Sequence, residues 1–282
     1  MNENFIPLKN DVVFKTFFVN NKKQLRQFIS VILDIPESKI TDLEILNPEI
    51  VPEHVDDKFS RLDLLLTTGR KQINIELQVC AEKDYRERSI YYWARMCSSG
   101  LEKGNEYGDL KESISINLLG FNMFDCEEYH SEFKFCELNR HEILTDKASI
   151  NFYELKKLEE KLTTDDKKIL WLKLIGSECE EEWKMLENTR VQEISDAVGI
   201  LHGMTHDARL REMARVREDS LHERAWYMNA AKRAMKEGRA EGLAEGMEKG
   251  LAEGRAEGMA SVIEKMRASG MTEEQINKIL SL

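Results

Sequence analysis

The stretch from Ser60 to Cys80, SRLDLLLTTGRKQINIELQVC, constrains this chain more than any other, because it reads as a β-hairpin with a fixed register. Gly69-Arg70 lies at its centre, and Gly in the first loop position marks a two-residue type II′ turn whose twist suits the flanking strands. With the pivot between those two residues, Asp63 lies opposite Glu76 and Arg61 opposite Gln78. Strand side chains alternate between faces, and this pairing sorts them by polarity. Leu62, Leu64, Leu66, Ile73, Ile75, Leu77 and Val79 share one face, whereas Arg61, Asp63, Asn74, Glu76 and Gln78 share the other with Leu65. A slip of one residue would bury the charges, so the register is well specified.

Directly opposed side chains have Cβ atoms about 5 Å apart, and like charges placed there repel. Two carboxylates at that spacing need a proton, a cation or water between them. One reading is the solvated outer face of an antiparallel sheet. The other is a metal site, since hard cations such as Mg²⁺ take carboxylate oxygens together with substrate phosphates. The alternation alone leaves both open.

Asp63 followed by Glu76-Leu77-Gln78 resembles the D…(D/E)xK signature of the PD-(D/E)xK nuclease superfamily. More narrowly it is similar to the Rpn branch, the recombination-promoting nucleases also labelled transposases, where Gln commonly stands in place of Lys. The opening Asn10-Asp11-Val12-Val13-Phe14-Lys15 resembles that branch's D-x-x-F-K, and the Gly-rich tail its C-terminus. The resemblance implies an α/β restriction-endonuclease-like core, a mixed sheet flanked by helices, followed by an all-helical C-terminal region. It also implies metal-dependent hydrolysis of phosphodiester bonds in DNA, in recombination or mobile elements. Asp63, Glu76 and the backbone carbonyl of Leu77 would hold Mg²⁺, with Mn²⁺ or Ca²⁺ as alternatives. Gln78 carries no charge and is neither acid nor base near neutral pH, so it could only orient water or phosphate. That departure leaves a second reading open: a weak or inactive nuclease fold that binds DNA or serves as an oligomeric scaffold.

The formal net charge of −11 sits awkwardly with DNA binding, whose non-specific part comes from Lys and Arg neutralising phosphates. A local basic patch or metal-mediated contact would have to supply it. Arg61, Arg88 and Tyr91 are the candidate DNA contacts, the last two on an amphipathic helix expected over Asp84 to Lys103 with Gly104 as its C-cap. Packing of its aromatics and solvation of its arginines explain the same residues. Five Cys with no CxxC pair fit reduced thiols, no leader segment is evident in MNENFIPLKND, and no apolar run approaches a membrane span. A cytoplasmic protein is expected.

Asp11 is a plausible N-cap for a first helix through Phe18, and by the resemblance also a helper at the metal site. A second helix is expected over Lys22 to Leu33, then strands over Leu43 to Val51, Ser113 to Phe121, Glu132 to Leu138 (an edge) and Ile150 to Leu155. From Thr163 onward the pattern is helical. His202 and His206 have the spacing of a helical zinc pair, but Gly203 stands where HExxH has Glu and no third ligand aligns. Gly238, Gly242, Gly246, Gly250, Gly254 and Gly258 recur every fourth residue. Each Gly costs a helix about 1 kcal/mol relative to Ala, so close packing against a partner helix has to offset them, or the segment is a flexible linker. A short helical hairpin closes the chain, with Thr272 to Gln275 as a capping box. The expected division is a nuclease-like domain over 1–160, a helical extension over 161–233, and a self-associating tail over 234–282.

Overall fold

The computed structural model describes residues 5–47, 63–101, 104–158 and 165–280. The chain divides into two compact units, Met1–Glu218 and Asp219–Leu282. In order, the elements are α1 (Asp11–Asn20), α2 (Lys22–Ile32), β1 (Glu44–Ile45), β2 (Leu64–Thr68), β3 (Lys71–Gln78), α3 (Tyr85–Ser99), β4 (Glu112–Leu119), β5 (His130–Phe133), β6 (Cys136–Glu137), β7 (Glu142–Ile143) and β8 (Ala148–Glu154). They are followed by α4 (Lys167–Gly176), α5 (Glu180–Glu187), α6 (Gln192–Thr205), α7 (Ala208–Ala268) and α8 (Glu273–Leu280). Six strands form one mixed sheet in the order β1-β2-β3-β4-β8-β5. The β3–β4 and β4–β8 pairs are parallel and the others antiparallel. A mixed sheet flanked by helices and followed by helices is the architecture expected from the sequence.

The hairpin register is the predicted one, with Leu64 paired to Ile75 and Leu66 to Ile73. Gly69 has φ of +50° and is the one positive-φ residue of the loop, as a type II′ turn requires. Leu64, Leu66, Ile73 and Ile75 are fully buried against a layer built from α1, α2 and α4 to α6. Phe18, Phe28 and Trp171 pack there with ring centroids 5.2–6.2 Å apart, inside the favourable range for aromatic pairs. The first turns of α7 join the same core through Leu210 and Ala214.

The opposite face is not solvated. Helix α3 lies across it, burying Tyr85, Tyr92, Trp93 and Met96 against Leu65, Leu119, Phe152 and Ala148. Asn74, Ser113 and Asn117 are completely buried beneath it. This face is polar because its hydrogen bonds are made internally. Trp93 Nε1 donates to the Ser113 carbonyl at 2.8 Å, and Tyr85 Oη donates to Asn117 Oδ1 at 2.9 Å.

Several boundaries differ from expectation. The α3 helix ends at Ser99 with Gly100 as its cap at φ −76°, and Gly104, at φ +100°, belongs to the following loop. The run Glu132 to Leu138 splits between edge strand β5 and a small β6–β7 hairpin. The first strand appears only as β1, and residues 48–62, including Arg61, lie outside the described set. His202 packs edge-on against Trp183 at 5.3 Å, and among the described residues no three metal-ligating side chains gather.

In the second unit the glycine-rich segment is continuous helix through Ala268. Among the described residues, nothing beyond the helix's own backbone lies within 4 Å of where a Cβ would stand on any of its six glycines. Gly270 at φ +87° ends it, and the Thr272 amide donates to Gln275 Oε1 at 3.0 Å, one half of the expected capping box. For the hairpin, Gly69→Ala is expected to cost about 1 kcal/mol through the left-handed backbone it forces on a Cβ-bearing residue, and Gly69→Asn less. Denaturant unfolding that ranked Ala and Gly equally would count against this turn.

Candidate active site

Asp63 stands immediately before β2 at the open end of the hairpin, and Glu76 is the sixth residue of β3. Extending the observed register places them opposite one another. At this point the main-chain ladder gives way to side chains. Asp63 Oδ2 accepts the Leu77 amide at 2.6 Å, and the Asp63 amide in turn donates to the Glu76 carboxylate. Leu77's carbonyl shares that strand edge with its amide, because both groups of a strand residue face the same neighbour. Glu76 is buried, and Asn74 Nδ2 donates to its Oε1 at 3.1 Å. Asn74 Oδ1 is itself buried without a hydrogen-bond partner.

Burial raises both acids. Asp63 is pushed up to about 7, chiefly by desolvation, against the Leu77 amide; the charge of Asp11 raises it further while Lys15 and Arg217 lower it. Glu76 is driven well above the usual carboxylate range by desolvation and then by Asp63, with Asn74 and Arg88 opposing. Tyr85 is also raised well above its ordinary value, first by burial and then by the negative charge of Glu76.

Three helices carry the surrounding groups. Asn10, rather than Asp11, caps α1, accepting the amides of Val12 and Val13 at 3.1 and 3.5 Å. The cap falls one residue earlier than expected and leaves Asp11 Oδ2 to pair with Arg217 Nη2 at 2.5 Å, at the base of α7. Lys15, one turn further along α1, is buried. On the other side, α3 presents Arg88, whose Nη2 donates to Gln78 Oε1 at 2.5 Å and whose Nη1 pairs with Glu82. Gln78 Nε2 donates to the Cys80 carbonyl at 2.8 Å, so both ends of that side chain are engaged.

The structure thus brings together Asp63, Glu76, Leu77, Gln78, Asp11 and Arg88. Tyr91 is set apart on the exposed side of α3, with Arg95 5.9 Å over its ring. Lys15, Asn74, Tyr85 and Arg217 belong to the neighbourhood but were not singled out from the sequence. For Lys15 the signal was present in the D-x-x-F-K opening; for Arg217, which lies 206 residues from its partner, there was none.

Residues 8–231 match the profile of PD-(D/E)XK nuclease family transposases. The chain belongs to that family. No curated protein and no solved structure matched it in parallel comparisons. For a PD-(D/E)XK nuclease family transposase the hairpin takes on a nuclease-like or transposase-related meaning, and nucleases of this family typically use divalent metals. The donor set suits one: two hard carboxylates, each disfavoured by burial and by the other's charge, are what a hard divalent cation stabilises.

Because folding raises its pKa, Asp63 favours the metal-free fold only while protonated, and that contribution disappears as pH rises from about 4 through about 7. Asp63→Asn keeps the shape and an acceptor for Leu77 without the charge. In EDTA at pH 8 it is expected to raise the melting temperature, and to have little effect at pH 4. Equal melting temperatures at pH 8 would show that the pair carries no such cost.

Proposed function

We propose that this chain is a Mg²⁺-dependent endodeoxyribonuclease, with Mn²⁺ or Ca²⁺ able to occupy the same ligands. The observation that carries this reading is the Asp63–Glu76 pair, held by main-chain hydrogen bonds at a sheet position where both carboxylates are costly without a cation. Asp63, Glu76 and the Leu77 carbonyl would hold the ion. When bound, it supplies a more acidic water and offsets charge on the phosphate. The chain's own residues fix the geometry. The Leu77 amide orients Asp63, Asn74 orients Glu76, and α3 excludes water from one side of the pair. Asp11, engaged by Arg217, sets the field at Asp63 from the other side and is the candidate helper.

Asp63→Ala or Glu76→Gln is expected to lower cleavage of supercoiled DNA by Mg²⁺ at least about 1000-fold, since a metal contributes several kcal/mol and each 1.36 kcal/mol is tenfold. A variant that still cuts at the parent rate would dismiss the site. The engagement of Gln78 at both ends keeps the second reading in view, a nuclease fold that binds DNA with little or no cutting. Folded wild-type protein with DNA affinity and no metal-dependent cleavage would select it.

We further propose that the 234–282 segment assembles copies of the chain. Six uncovered glycines in continuous helix lie beside exposed Leu243, Met247, Leu251 and Met259, a surface suited to close approach of a second helix. Truncation after Arg233 is expected to lower the mass in solution by light scattering; an unchanged oligomeric state would remove this role.

A further inference from the structure

The signature's missing lysine leaves the site one positive charge short, and three described cations stand close enough to act on the acids. Lys15 acts on Asp63 from α1, Arg217 acts on it from α7 while paired with Asp11, and Arg88 acts on Glu76 from α3. What separates them is Gln78. The lysine of the signature falls two residues after the glutamate, on the same face of the strand, so a replacement has to work from where the Gln78 side chain ends. Arg88 meets it there at 2.5 Å. Gln78 in turn is anchored by the Cys80 carbonyl, which makes it a bracket for the guanidinium.

Arg88 is held from three directions. Glu82 takes Nη1, Gln78 takes Nη2, and the ring of Tyr85 lies 4.7 Å beneath the guanidinium carbon. The buried Nε meets no acceptor at hydrogen-bonding geometry. The side chain is 29% exposed, and each Nη keeps a second hydrogen beyond its bond to Glu82 or Gln78, so the guanidinium can still donate to the oxygens of a phosphate diester. We propose that Arg88, bracketed by Gln78, is the cation that contacts the scissile phosphate in place of the signature's lysine. This rests on the nuclease reading above. In this arrangement the amide at position 78 and the arginine on α3 form one functional unit, and the departure from the signature is a division of its lysine between two elements.

The test uses the full chain with Arg88→Gln, Gln78→Lys and the double variant Gln78→Lys/Arg88→Gln. Single-turnover cleavage of duplex DNA in Mg²⁺ and Mn²⁺ is read beside DNA affinity by fluorescence anisotropy in EDTA and beside thermal unfolding. Arg88→Gln is expected to cut roughly 100-fold more slowly, the scale for loss of one preorganised donor, with affinity within about threefold of the parent. Gln78→Lys alone brings no gain, because the new ammonium lies against Arg88. The double variant recovers about tenfold or more of the loss, because the charge returns at position 78. Arg88→Gln cutting at the parent rate, losing rate only in step with affinity, or gaining nothing from Gln78→Lys overturns the proposal. If Arg88→Gln does not fold, Arg88→Lys decides: a rate within about tenfold of the parent supports a charge role, and a roughly 100-fold loss at unchanged affinity overturns it. A wild-type chain that cuts no DNA with any metal removes the nuclease reading and this proposal together, whereas a cutting wild type indifferent to Arg88→Gln removes only the latter.

Discussion

Two carboxylates share one partly dry corner at the end of the β2–β3 hairpin, and much of the first unit can be understood as the means of keeping them there. Strand pairing puts Asp63 across from Glu76 at no further expense, since the register is already set by the apolar face. The electrostatic cost is spread over many neighbours. The Leu77 amide and Asn74 donate hydrogen bonds, Lys15 and Arg217 act from one side, and Arg88 acts from the other. No single neighbour neutralises the pair, which is the state expected of acids that have to remain available to a cation.

Helix α3 makes that corner dry. It does so with a mixed surface, covering a polar face of the sheet with aromatic rings whose polar atoms find partners beneath: Tyr85 on Asn117 and Trp93 on the Ser113 carbonyl. Buried polar faces of this sort are stable only when their hydrogen bonds are nearly complete. At Gln72 Oε1, Asn74 Oδ1 and Arg88 Nε they are not, and the last two belong to side chains that touch the acidic pair or its immediate neighbour.

The hairpin, its turn and the facing of the two acids were legible because strand periodicity is a local property of consecutive residues. The burial of the polar face was not. Asn74 and Glu76 look like solvent-facing residues until α3 is laid over them, and α3 has enough arginines to pass for an exposed helix. The helix cap went to Asn10 instead of Asp11 because adjacent residues of similar capping strength compete, and the choice is settled by which can also reach a tertiary partner. Asn10 bonds the Ala214 carbonyl, and Asp11 pairs with Arg217. The glycine repeat left helix and linker both open, and the splitting of Glu132 to Leu138 depended on which strands stood beside it.

The Asp11–Arg217 bridge joins positions 206 residues apart. A chain is synthesised from its N-terminus, so α1, the hairpin and α3 all exist well before residue 217 does. Contacts of such long range are also the slowest to form in folding. The acidic corner consequently spends the period of synthesis without one of the charges that shape its finished field, and it reaches its mature electrostatics only when nearly the whole first unit has been made. Assembly of the site is thereby timed to the end of the domain's biogenesis.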